Sequence, residues 1–168
     1  AQSTNNVSMI YNPTDRLADP PLTDLGFRQA DAMAHYLATA HDIDRWVDQI
    51  SDGQESLNGF RFTKLYCSPM LRTLQTALPI SRALNLQAEL WVDLHEHGGL
   101  HVDYGDERGV AGFPGLARSA IQAQFAGFHL PASITDEGWY NPAQKAEDIG
   151  GCMARAVRVA NMLRGQAA

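Results

Sequence analysis

The chain has 168 residues, 45% of them apolar and 19% charged, with a formal net charge of −6. This length suits one domain with a substantial core, and the composition excludes a disordered or fibrous chain. Positive residues are not clustered, which argues against nucleic-acid binding, and no apolar run reaches the roughly 18 residues of a membrane helix.

Taken in chain order, Thr23 to Ala38 reads as a helix. Thr23 can cap it, and Phe27, Ala30, Met33, Ala34 and Leu37 recur at helical spacing. Residues 41–59 are polar and acidic and read as a loop, with a helical turn near Trp46 and Val47. Phe62 to Cys67 is β-prone. Pro69 to Leu84 follows as a helix, with Ser68 as its cap and a bend or break at Pro79. Leu86 to Leu94 is a second strand, so strand, helix and strand predict a right-handed crossover and a parallel pair. Residues 98–142 are rich in Gly and Pro, and only Ala117 to Phe125 looks helical; a loop this long suggests a lid or substrate-specificity segment. Asp148 to Arg164 is the last helix, with Met153, Ala156, Val157, Ala160 and Leu163 on one face. One α/β domain spanning 1–168 results.

The two cysteines, Cys67 and Cys152, are too far apart in sequence to suggest a disulfide scaffold. Cys67 reads as a small hydrophobe at a strand end. A reducing, cytoplasmic setting follows, and no signal peptide is visible.

The chemistry concentrates at Leu65–Thr76, L-Y-C-S-P-M-L-R-T-L-Q-T. Arg72 falls in the first turn of the helix, where free N–H groups and the dipole favour an anion and a guanidinium adds a bidentate grip. Ligands in open α/β sheets sit at the carboxyl ends of the strands, so Arg72 and Glu96 are expected to converge on one crevice.

Three further segments extend the pattern: Ala1-Gln2-Ser3-Thr4-Asn5-Asn6, Asp19 to Ala30, and Asp93-Leu94-His95-Glu96-His97-Gly98-Gly99. With C-S-P-M-L-R-T-L-Q-T-A, their order resembles the histidine phosphatase superfamily, the phosphoglycerate-mutase-like phosphatases and mutases. Ala1, Ser3 and Asn6 match the Gly, Ser and Asn of Arg-His-Gly-x-Ser-x-x-Asn. Pro21-Leu22-Thr23 and Gly26 match P-L-T-x-x-G. The resemblance implies a three-layer, open, mostly parallel sheet with helices on both faces. It assigns Arg72 to phosphate binding and Glu96 to proton donation, with Ser3, Asn6 and Thr23 contacting substrate. It also implies a phosphohistidine intermediate, no cofactor, and a small phosphorylated metabolite as partner, with no nucleic acid or membrane; a homodimer is compatible with it. The family's nucleophilic histidine would fall just before Ala1, and no Arg-His pair occurs among the 168 residues. The expectation is therefore a domain incomplete at both ends, whose absent strands are the central ones. His97-Gly98-Gly99 stands where mutases carry Arg-x-Tyr-Gly, which tilts the choice towards a phosphatase. To act as an acid near neutrality Glu96 would require a raised pKa, which burial could supply.

Two alternatives compete. Asp93-x-His95-x-His97 resembles the first metal-ligand motif of amidohydrolase-type enzymes, although later ligands are limited to His101 and His129. A non-catalytic phosphate-binding pseudoenzyme would keep Arg72 without ever having had the histidines.

Overall fold

A short parallel pair of strands carries the site. The computed structural model describes residues 1–8, 16–39 and 62–167, so the loop expected at 41–59 lies outside the described residues. Strand β1 (Leu65–Cys67) pairs with β2 (Ala88–Leu90), Leu65 opposite Ala88 and Cys67 opposite Leu90. Two helices precede them, α1 (Thr4–Ser8) and α2 (Asp24–Thr39), and α3 (Leu71–Leu84) is the crossover between them. A 3-10 turn (Val92–Leu94), an antiparallel hairpin of β3 (His101–Asp103) and β4 (Val110–Gly112), and helices α4 (Arg118–Gln124) and α5 (Ile149–Ala167) complete the order. The expected βαβ unit is present, and among the described residues each sheet has two strands.

Helix α2 starts as its sequence predicts, with the Gly26 N–H donating to Thr23 Oγ1 at 3.0 Å. It packs on α3, and its buried positions are small: Gly26, which faces the Gln2 backbone, Ala30 and Ala34 are buried, while Phe27 and Met33 are 43% and 49% exposed. The apolar spacing thus marked the helix correctly, but the tight crossing admits only its small residues.

Several boundaries differ from expectation. Strand β1 begins at Leu65 rather than Phe62, which is exposed. Strand β2 ends at Leu90: beyond it the Leu94 and His95 N–H groups donate to the carbonyls of Trp91 and Val92 at 3.1 Å, so local turn bonds replace the ladder. Trp91 meanwhile lies over Tyr66, ring centroids 4.2 Å apart. Helix α3 begins at Leu71 and runs on through Pro79 to a left-handed Asn85 (φ 52°). Ser68 does not cap it; its hydroxyl faces Thr73 Oγ1 at 2.8 Å. The Leu71 N–H donates instead to Asp19 Oδ1 at 2.8 Å, a carboxylate from far upstream.

The Gly/Pro-rich segment is packed rather than loose. Leu100, Ile121, Phe125, Phe128, Leu130, Ile134, Trp139 and Tyr140 join Met70, Leu74 and Leu90 in one core cluster. His129 continues the sheet beside β2, accepting from the Leu90 N–H at 2.9 Å and donating to the Ala88 carbonyl at 2.8 Å. Helix α5 reverses its expected orientation. Arg155 is buried, whereas Met153, Val157 and Leu163 are 66%, 60% and 42% exposed. The helix is held by polar contacts of Arg155 and by a hydrogen bond from Tyr66 Oη to Gln166 Oε1, so the apolar stripe is turned away from the described body.

Candidate functional site

Arg72, the second residue of α3, lies at the carboxyl end of β1 with its side chain largely buried. Its Nη2 donates to Glu96 Oε2 and lies 3.1 Å from Met70 Sδ. Glu96 comes from the bend that follows the 3-10 turn, and its side chain is 72% exposed. The two residues the motifs single out therefore meet, a shielded cation beneath a carboxylate at the solvent rim. The burial expected for Glu96 is not found. An ion pair exposed on one side contributes little stability and can exchange partners readily.

A cleft of about 460 Å³ opens beside Arg72, bounded by Ala1, Cys67, Ser68, Thr73 and Leu94 among others. Burial pushes the Cys67 thiol up to about 12, so it stays protonated at neutral pH and serves as a packing group. The backbone of the α3 N-terminus is mostly occupied. The Leu71 N–H goes to Asp19 and the Thr73 N–H to the Met70 carbonyl at 2.9 Å. Attraction for an anion thus rests on the Arg72 guanidinium more than on free amides.

Asp19 is the residue that sequence reasoning missed. Its Oδ2 is buried with no hydrogen-bond partner among the described residues, and burial pushes its carboxyl up to about 6 against the opposing pull of the Leu71 N–H and the Arg72 charge. The 52 residues between Asp19 and Leu71 left no local signal for this cap.

Ser3, Asn6 and Thr23 cluster near the chain start but do not line the Arg72 cleft. Asn6 Oδ1 accepts from both the Ser3 N–H (2.7 Å) and the Ser3 hydroxyl (2.9 Å), which ties the start of α1 together. Asn6 also lines a neighbouring cleft of about 530 Å³ that shares Ala1 and Thr76 with the first. The Thr23 hydroxyl donates to Gln2 Oε1 at 2.8 Å while capping α2.

The alternative metal motif does not assemble. Asp93 Oδ2 is 3.5 Å from Arg158 Nε, and His95 Nδ1 is 2.8 Å from the Glu96 carbonyl. His95 and His101 pack edge-on to Tyr140, with centroids 5.8 and 5.5 Å away. Among the described residues no group of three or more His, Cys, Asp or Glu is placed to hold a metal ion. No helix among them is long and apolar enough to cross a membrane.

A family model described as "Histidine phosphatase superfamily (branch 1)" matches residues 47–168. No curated protein matches the chain. Among solved structures, the ecdysone phosphate phosphatase from Bombix mori in complex with tungstate aligns at TM-score 0.49 and 15% identity, covering 98% of this chain and 54% of that one. The chain thus spans about half the length of that structure.

Proposed function

The chain belongs to branch 1 of the histidine phosphatase superfamily and has its α/β, phosphoglycerate-mutase-like fold, and on that basis we propose that it serves hydrolysis of a small phosphorylated metabolite through a phosphohistidine intermediate. The observation that carries this reading is the pairing of Arg72 with Glu96 at the mouth of the cleft. A phosphoryl group seated there takes over the guanidinium, because a doubly charged, bidentate acceptor outcompetes a solvated carboxylate. Glu96 is then released next to the leaving oxygen. There it serves as the proton donor to that oxygen. Arg72 stabilises the equatorial oxygens throughout.

The nucleophile in this reading is a histidine preceded by arginine, and none of the six in these residues has that context. Ser3, Asn6 and Thr23 act in it by ordering the segment from Ala1 to Asn6 along the cleft wall. Residues 98–142 select the leaving group: Trp139 and Tyr140 pack beside His95, next to Glu96 in the chain. The missing Arg-x-Tyr-Gly at 97–99 favours phosphatase over mutase.

The test is hydrolysis of a panel of phosphomonoesters by the full-length protein, with acid-labile, base-stable phosphoprotein trapped during turnover. Turnover with a trapped phosphohistidine is the expected result. Turnover that vanishes with a chelator and leaves no phosphoprotein would overturn the reading in favour of a metal-dependent hydrolase.

A further inference from the structure

Among the described residues, Arg155 is the one charged residue that is buried, at 7% exposure. It sits on α5 between Met153 and Val157, which face outward, so the helix turns a cation inward and its apolar residues out. Such an inversion is costly unless every donor is satisfied. Here all five are directed at acceptors. Nε and Nη2 donate to Glu147 Oε1 and Oε2 at 2.8 and 2.6 Å, and Nη2 also lies 3.7 Å from Cys152 Sγ. Nη1 donates to the carbonyls of Asp93 (2.7 Å) and His95 (2.8 Å). Those two carbonyls flank Leu94, at the end of the 3-10 turn, and the next residue in the chain is Glu96.

We infer that Arg155, held by Glu147, is a positioning residue for Glu96: it fixes the Asp93–His95 backbone so that the Glu96 carboxyl is presented to the leaving oxygen above Arg72. The inference rests on the reading of Glu96 as proton donor. Glu96 is exposed and touches Arg72, a contact that a bound phosphoryl group dissolves. Once that contact is gone, the backbone is what keeps the carboxyl in place. The Arg155 fork holds that backbone one and three residues upstream of Glu96. Displacement of a reacting group by about 1 Å can cost on the order of 100-fold in rate. A lysine at 155 keeps the charge but cannot span a carboxylate and two carbonyls at once.

In the full-length enzyme, Arg155→Lys should lower kcat/KM about tenfold or more on an alkyl phosphate and less than about twofold on para-nitrophenyl phosphate, whose leaving group needs no proton. Inhibition by inorganic phosphate should be unchanged, since Arg72 is untouched. The double variant Arg155→Lys/Glu96→Gln should be no slower on the alkyl phosphate than Glu96→Gln alone, because both changes remove one function. Equal losses on both substrates, or fully additive losses in the double variant, would overturn the proposal and leave Arg155 as a staple for α5. Glu147→Gln, which loosens the fork without removing it, gives the same readout if Arg155→Lys folds poorly. If Glu96→Gln itself affects both substrates alike, the acid role of Glu96 is what fails. The positioning claim then stands only if amide exchange at Leu94 to His97 quickens in Arg155→Lys, and falls if it does not.

Discussion

At the scale of single residues, the proposed reaction gives the two side chains at the cleft mouth different tasks. In it Arg72 would grip the transferring group in ground and transition state, a charge-assisted contact worth several kcal/mol in a water-poor site. Arg72→Ala should therefore cost more than Glu96→Gln on an aryl phosphate, while Glu96→Gln should cost more on an alkyl than on an aryl substrate. Steady-state kcat/KM for both variants on both substrates checks this, and equal Glu96→Gln losses would remove the acid role. Asp19 makes a separate, pH-dependent contribution. Its folded carboxyl lies at about 6, above the ordinary aspartate range, so the native state binds the extra proton between about pH 4 and pH 6. Stability is thus favoured at the acid end of that window and falls as pH rises through it. Two units correspond to about 3 kcal/mol. Asp19→Asn keeps an acceptor for the Leu71 N–H and cannot ionise, so the wild type should lose up to about that much stability relative to the variant between pH 4 and 7. Denaturant midpoints at four pH values measure it, and parallel curves for the two proteins would refute the buried carboxylate.

At the scale of elements, the contrast between two glycines shows where packing is tight. A Cβ on Gly26 would stand 2.0 Å from the Gln2 carbonyl oxygen, because the first residues of the chain lie across the start of α2. They are tied there by Thr23 N–H to the Gln2 carbonyl at 3.1 Å and Thr4 N–H to the Pro21 carbonyl at 2.9 Å. Gly26→Ala should destabilise by about 1–3 kcal/mol through this backbone overlap. Gly165, in α5, has none of the described residues within 4 Å of its Cβ position. Gly165→Ala should stabilise by up to about 1 kcal/mol through helix propensity alone. Urea unfolding of the two variants gives opposite signs if the chain start packs on α2, and two stabilised variants would show that it does not. The helix spacing at 24–39 was legible because cap, apolar period and length agree locally. Which face is buried was not, since that depends on the partner helix and not on the period.

At the scale of the whole molecule, the proposed mechanism calls for a histidine preceded by arginine beside the cleft pair. Arg72 and Glu96 are present and in contact, but no histidine here follows an arginine. Under the proposed mechanism residues 1–168 alone should therefore release no phosphate from para-nitrophenyl phosphate, because none of their histidines has that sequence context. Metal-independent turnover by these residues would contradict the assignment of roles.

What the sequence alone determined is what short-range chemistry can encode. The β1–α3–β2 order follows from β-prone runs around a helix with Pro and Arg at its start, and the cleft pair follows from two motifs that each end near a strand terminus. Tertiary structure decided the rest. Asp19 caps α3 across 52 residues, and Arg155 reaches the Asp93 and His95 carbonyls across 62 and 60. The hairpin at 101–112 and the burial of Trp139 and Tyr140 likewise arise inside a stretch whose composition reads as loop. The physical reason is common to all of these. A buried donor or carbonyl must find a partner wherever the fold places one, and that requirement leaves no periodicity in the chain for a sequence to display.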